Sequence, residues 1–137
     1  MPQVTVEYSG NIRGDADIQG LLETIAATIL TAGNGVFPKA AVKVRAIGYD
    51  DYVVADGDPN NAFVSINVRV ARGRPEEDKR RTFDAVFEAV KAYLKPVDER
   101  WTLALSMDVE EFADRLAYKQ NRLHEKFGTK PFAKTVG

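Results

Sequence analysis

Two β-α-β units follow one another along this chain of 137 residues, and the duplication limits the possible folds more than any other feature. In the first unit, residues 3–8 alternate between apolar and polar side chains, which predicts a strand with one buried face. Apolar residues at helical spacing follow over residues 18–30. A second alternating run covers residues 41–47, so the unit closes with another strand.

The second unit repeats this order. Residues 63–70 alternate, Pro75 and Glu76 begin a helix, and a last alternating run covers residues 103–109. Right-handed crossover connections make the two strands within each unit parallel. The sequence therefore predicts a single α+β domain over residues 1–137, a two-layer sandwich in which both helices cover one face of a four-stranded sheet.

The ends of the helices carry their own signals. Asp15 or Asp17 is expected to cap the first helix, and Gly33-Asn34-Gly35 is expected to end it. We expect Lys95-Pro96 to end the second helix, because proline lacks the amide hydrogen that a helix interior needs. The charged stretch from Phe112 to Phe127 has weak helical character, and we expect the tail over about residues 112–137 at an interface between subunits.

Composition excludes several classes of function. The 19 Lys and Arg against 20 Asp and Glu give a net charge of −1, which argues against a nucleic-acid partner. The absence of cysteine excludes disulfides and thiolate nucleophiles, and the single His124 excludes a multi-histidine metal site. No apolar run is long enough to cross a membrane and no export signal is visible, so the predicted location is cytoplasmic.

Two helices can cover only one face of a four-stranded sheet. The other face would carry small or polar side chains, which suit either solvent or a contact between subunits. These residues are Thr5, Lys43, Arg45, Ser65, Asn67, Ser106 and Asp108.

Pro2 is the feature that points most directly to chemistry. A small residue beside the initiator allows an aminopeptidase to remove Met1, which would leave a rigid secondary amine at the start of the first strand. Apolar surroundings and nearby cations disfavour the charged form of such an amine and lower its pKa. An N-terminal proline in such a pocket accepts a proton near neutral pH and then returns it, which suits a proton shuttle.

Residues 1–13 resemble the start of 5-carboxymethyl-2-hydroxymuconate isomerases, which belong to the tautomerase superfamily. Further fragments recur in the same order with similar spacing, so the resemblance extends from Pro2 to about Phe127. They are Gly35-Val36-Phe37-Pro38, Ala55-Asp56-Gly57, Ala62-Phe63-Val64, Gly73-Arg74, Leu103-Ala104-Leu105-Ser106 and Tyr118-Lys119-Gln120-Asn121 with His124.

The resemblance implies a homotrimer that needs no cofactor and uses Pro2 as its catalytic acid and base. It implies a small polycarboxylate substrate such as 5-carboxymethyl-2-hydroxymuconate. Arg74 matches the family's Gly-Arg after the third strand and precedes a helix N-terminus, so we expect it to bind and polarise the substrate.

The second cation departs from the family. Lys43 stands where the family has an arginine, and Arg45 lies two residues further on the same face of the strand. Lysine cannot form the bidentate contact that arginine offers, so either Arg45 takes over the role or the preferred acid differs. Arg13 also matches the family, and we assign it to substrate binding or to an interfacial ion pair. We expect His124 to pack or to hydrogen-bond between subunits.

Two alternatives stay open at the level of sequence. The same scaffold with a catalytic proline could hydrate or dehalogenate an unsaturated acid, although no residue is an unambiguous activator of water. The chain could also be a non-catalytic oligomeric binding protein that kept the fold and lost the base.

Overall fold

A four-stranded mixed sheet forms one layer of the protein. The computed structural model describes residues 2–113 and 116–128. The strand order is β2-β1-β3-β4, in which β1 (Pro2–Ser9) pairs in parallel with β2 (Lys43–Tyr49) and antiparallel with β3 (Asn61–Ala71). β4 (Thr102–Phe112) pairs in parallel with β3. Each unit therefore supplies one parallel pair, as the crossover rule predicts, and the two units join through an antiparallel pair at the centre.

Both long helices lie on one face of this sheet. The helix α1 (Ile18–Gly33) connects the strands of the first unit, and α2 (Glu76–Arg100) connects those of the second. A short helix, α3 (Leu123–Phe127), follows the last strand, in keeping with the weak helical character of that stretch. Among the described residues, no helix is both long enough and apolar enough to cross a membrane.

The core lies between the sheet and the two helices. Each central strand sends every second side chain into it, and each helix contributes one apolar stripe. The fully buried members include Val4, Val6, Val64, Ile66 and Val68 from the strands and Leu21, Ile25, Ile29, Val86 and Val90 from the helices. The predicted α+β sandwich is confirmed.

The other face of the sheet is polar, as the alternation predicts. We call it the open face. The side chains on it are exposed on the edge strands and half-buried on the central strands, except for the exposed Arg69. It carries Gln3, Thr5 and Glu7 from β1, Lys43, Arg45 and Ile47 from β2, Ser65, Asn67 and Arg69 from β3, and Ser106, Asp108 and Glu110 from β4.

The prediction that the second helix ends at Pro96 is wrong. The helix continues to Arg100, because the turn after the proline buries Val97, which is 3% exposed. The Trp101 amide donates to the Val97 carbonyl at 2.8 Å, and the Trp101 indole Nε1–H donates to Asp15 at 2.8 Å. These contacts offset the cost of about 3 kcal/mol that an interior proline imposes on a helix.

The first turn of α1 is capped by Asp17, whose Oδ1 accepts a hydrogen bond from the Gly20 amide at 3.1 Å. Asp17→Ala should lower the free energy of unfolding by about 1 kcal/mol, since it leaves a helix-terminal amide without its partner. Denaturant titration measures this. Glu23→Ala is the matched control, because it removes a carboxylate from the exposed side of the same helix without touching the cap. Equal losses in the two variants would contradict a capping role.

Candidate active site

One end of the sheet gathers most of the residues that the sequence singles out. The strand β1 begins there with Pro2 and β2 begins there with Lys43, while β3 ends there at Ala71 and β4 at Phe112. The register confirms this, because Gln3 pairs with Lys43, Pro2 with Val70, and Ala71 with Phe112. We call this edge the Pro2 end of the sheet.

Pro2 is buried and alternates with Val4 and Val6, so its ring faces the helical layer. It is the first residue of the central antiparallel pair, opposite Val70, which is fully buried. The ring therefore lies among apolar side chains at the edge of the core rather than in bulk water. Met1 lies outside the described residues, so its removal stays a prediction.

Arg74 lies three residues beyond the end of β3 and is only 8% exposed. Its guanidinium carbon stands 4.8 Å from the centre of the Phe37 ring. Its Nε donates to the Val36 carbonyl and its Nη1 to the Ala71 carbonyl, each at 3.4 Å. Burial lowers the pKa of Arg74 from its usual value. A guanidinium remains charged at neutral pH even so, and Arg74 is therefore a poorly hydrated cation beside the Pro2 end.

Lys43 and Arg45 lie on the open face at the same end, both exposed. Arg45 is held in place, because its Nη1 and Nη2 both donate to Oε1 of Gln3 at 3.2 Å. This contact crosses from β2 to β1, next to Pro2 in the sequence. The sequence alone does not indicate this contact. Strand alternation alone could have placed Gln3 and Arg45 on one face, but their proximity depends on the β1–β2 register.

Arg13 lies at the opposite end of β1. Between Pro2 and Ser9 the strand is roughly 23 Å long at about 3.3 Å per residue, so one chain does not bring Arg13 to Pro2. Its Nη1 donates to Oδ1 of Asp50 at 2.6 Å, and its guanidinium lies over the Tyr8 ring. The hydrogen bond to Asp50 is the main cause that raises the pKa of Arg13 above its usual value.

The tail returns to the Pro2 end from the far edge of the sheet. β4 ends beside Ala71, and nine residues later the Asn121 side chain donates to the Ala40 carbonyl at 2.9 Å, just before β2 begins. Lys39 lies over the Phe127 ring at 5.1 Å. His124 has a buried Nδ1 without a hydrogen-bond partner among the described residues, so its predicted bond to another subunit stays a prediction.

Two apolar side chains of the tail face outward: Leu116 is 80% exposed and Tyr118 is 89% exposed. The tail that we predict to lie at an interface falls partly outside the described residues, because positions 114–115 and 129–137 are not among them. Within the ranges that the structure describes, no group of three or more histidines or carboxylates is arranged to hold a metal ion.

The family model for 5-carboxymethyl-2-hydroxymuconate isomerase matches residues 2–127. The chain belongs to that family. The 5-carboxymethyl-2-hydroxymuconate Delta-isomerase of Escherichia coli is 35% identical over 127 residues, which cover 93% of this chain and 99% of that protein. The resemblance and the assignment to an isomerase of the tautomerase superfamily are thereby confirmed.

Solved structures agree with this assignment. A crystal structure of a 5-carboxymethyl-2-hydroxymuconate delta-isomerase is 28% identical with a TM-score of 0.87, covering 95% of each chain. The isomerase from Deinococcus radiodurans R1 is 29% identical with a TM-score of 0.85, covering 92% of this chain and 93% of that one. A fused 4-OT that forms a symmetric trimer shares the fold at 19% identity and a TM-score of 0.62, covering 88% of this chain and 96% of that one.

Proposed function

We propose that this isomerase converts 5-carboxymethyl-2-hydroxymuconate, a dienol with three carboxylates, into its conjugated 2-oxo isomer. The choice of substrate rests on the names of the family and of the relative from Escherichia coli. The observation that carries the proposal for the site is the gathering of Pro2, Arg74 and Arg45 around one end of the sheet. A base and cations at the same end of the sheet, with Pro2 towards the helical layer and Arg45 on the open face, suit a reaction that moves a proton within a polyanion.

In the proposed reaction, the Pro2 nitrogen removes the proton of the 2-hydroxyl group and returns it to a carbon of the conjugated chain. One O–H bond breaks, one C–H bond forms and the double bonds shift, so no other reactant is needed. The shuttle requires a free secondary amine, since the nitrogen of an amide has no basic lone pair. Removal of Met1 is therefore part of the proposal.

The cations divide the remaining work. Arg74 binds a substrate carboxylate or the oxygen that becomes the 2-oxo group, and its burial strengthens this attraction because little water screens it. Arg45 takes the place of the arginine that this family has at the position of Lys43, and it offers a fork of two donors. Lys43 adds a point charge on the same face.

A direct assay tests the proposed function. The ultraviolet absorbance of 5-carboxymethyl-2-hydroxymuconate is followed with protein whose N-terminal residue has been identified by mass spectrometry. We expect the absorbance to change at a rate proportional to the concentration of chains that begin with Pro2. If chains that begin with Pro2 convert the substrate no faster than buffer does, the proposed function is ruled out. Mass spectrometry of the product separates isomerisation from hydration or dehalogenation, because only isomerisation leaves the mass unchanged.

The proposal includes a homotrimer. On the open face, one edge strand carries the cations Lys43 and Arg45, and the other carries the anions Asp108 and Glu110. Oppositely charged edges favour a ring of copies joined head to tail, which closes at a fixed number of subunits. The trimeric 4-OT of the same fold is consistent with closure at three. Within one chain Arg13 lies far from Pro2. In such a ring, Arg13 of a neighbouring copy supplies this cation to the Pro2 end. The cytoplasmic location stays a prediction.

Sedimentation equilibrium should give a mass three times the 15.2 kDa of one chain. Asp108→Lys should raise the dissociation constant of the trimer about tenfold at low salt, because it places a cation on the acidic edge. Asp98→Lys is the matched control, since it makes the same charge change on the exposed side of α2. A trimer equally stable in both variants would exclude the proposed pairing of the edges.

A further inference from the structure

We infer that Gln3 is a positioning residue of the active site, which holds the Arg45 guanidinium in place while leaving its positive charge available to a substrate carboxylate. This inference rests on the proposed function. It goes beyond it because Gln3 would not touch the reacting atoms.

The geometry of the contact supports a positioning role for Gln3. Oε1 of Gln3 accepts from both Nη1 and Nη2 of Arg45 at 3.2 Å, so a single oxygen lies between the two terminal nitrogens. Gln3 follows Pro2 on β1, and the parallel register sets it opposite Lys43, two residues before Arg45 on the same face of β2. The amide thereby ties the cation of the edge strand to the strand that carries the proposed base.

The chemistry of the acceptor also supports this role. An exposed arginine loses considerable rotamer freedom when it is fixed against a ligand, and a contact made before binding reduces that loss. A carboxylate at position 3 would also fix Arg45, but it would compensate the charge that should attract the substrate. An amide oxygen orients the guanidinium without forming an ion pair, so the contact suits a cation kept for an anionic ligand.

A second side-chain contact joins the same two strands. Further along the same two strands, on the open face, the Tyr49 hydroxyl donates to Oε2 of Glu7 at 2.8 Å. This pair lies at the end of the sheet that is far from Pro2. It serves as an internal reference, because its removal also costs one cross-strand contact.

The test is a double-mutant cycle with Arg45. In Gln3→Met, which keeps the length of the side chain but loses the acceptor, we expect KM for 5-carboxymethyl-2-hydroxymuconate to rise about fivefold with kcat changed less than about twofold. Gln3→Glu should raise KM further, about 20-fold, because it pairs the charge of Arg45. In an Arg45→Ala background, Gln3→Met should change KM by less than about twofold, since the residue acts through Arg45.

Controls separate the possible failures. Tyr49→Phe removes the reference contact and should leave KM unchanged, and mass spectrometry should find Pro2 at the N-terminus of every variant. If Gln3→Met has the same effect with and without Arg45, or none in the wild-type background, the inference is overturned. A wild-type protein with free Pro2 and no isomerase activity overturns the proposed function instead. A fall in kcat alone would place Gln3 with the base rather than with Arg45, and that result also overturns the inference.

Discussion

Replacing Pro2 by alanine is expected to lower kcat for dienol isomerisation by about 10²–10⁴-fold, the range in which a positioned acid or base contributes to a rate. Alanine beside the initiator also allows removal of Met1. The N-terminus of the variant is then a primary amine on a flexible backbone. The ring that fixes the nitrogen at the start of β1 is lost. Stopped-flow absorbance measures the rate, and sedimentation checks that assembly is unchanged.

A second form of the protein tests the nitrogen without changing the side chain. A short peptide added before Pro2 turns its nitrogen into a tertiary amide, which is not basic. We expect this form to be inactive, and we expect proteolytic removal of the peptide to restore the rate. Full activity in the blocked form would exclude the Pro2 nitrogen from the mechanism, whatever the alanine variant does.

The sequence predicts the fold well because the spacing of apolar residues shows which side chains are buried. The alternation in β1 and β3 and the apolar stripe of α1 reflect the same core, so strand, helix and layer follow together. The end of α2 could not be predicted in the same way. Proline signals a helix end locally, but the packing of Val97 against the core decides the outcome.

The site was harder to predict than the fold, for a geometric reason. Arg13 and Pro2 lie beyond opposite ends of the apolar-polar alternation of β1, so their separation within one chain follows from the sequence. The placement of Arg74 at the Pro2 end depends instead on the antiparallel pairing of β1 with β3, which joins the two units and leaves no trace in their periodicity. The link between Gln3 and Arg45 depends in the same way on register.

Arg74→Ala is expected to reduce kcat/KM by about 10²–10³-fold, because a buried cation that faces developing negative charge contributes strongly to the transition state. The same change leaves the Phe37 ring and the Val36 and Ala71 carbonyls without their partner. We therefore expect the free energy of unfolding to fall by about 1–3 kcal/mol, which must be separated from the effect on catalysis.

Arg81 offers a control that matches the structural part of this role. Its Nε donates to the Ala32 carbonyl at 3.0 Å and its Nη2 to the Gly33 carbonyl at 3.2 Å, at the end of α1 and on the surface of the helical layer. Arg81→Ala should destabilise the protein by a similar amount and leave kcat/KM within about twofold. Arg74→Lys keeps the charge without the planar fork, so its kcat/KM should lie between those of wild type and Arg74→Ala. Both alanine variants could lose stability while neither loses activity. In that case Arg74 only links the β3–α2 connection to the segment that follows α1, and other residues bind the substrate anion.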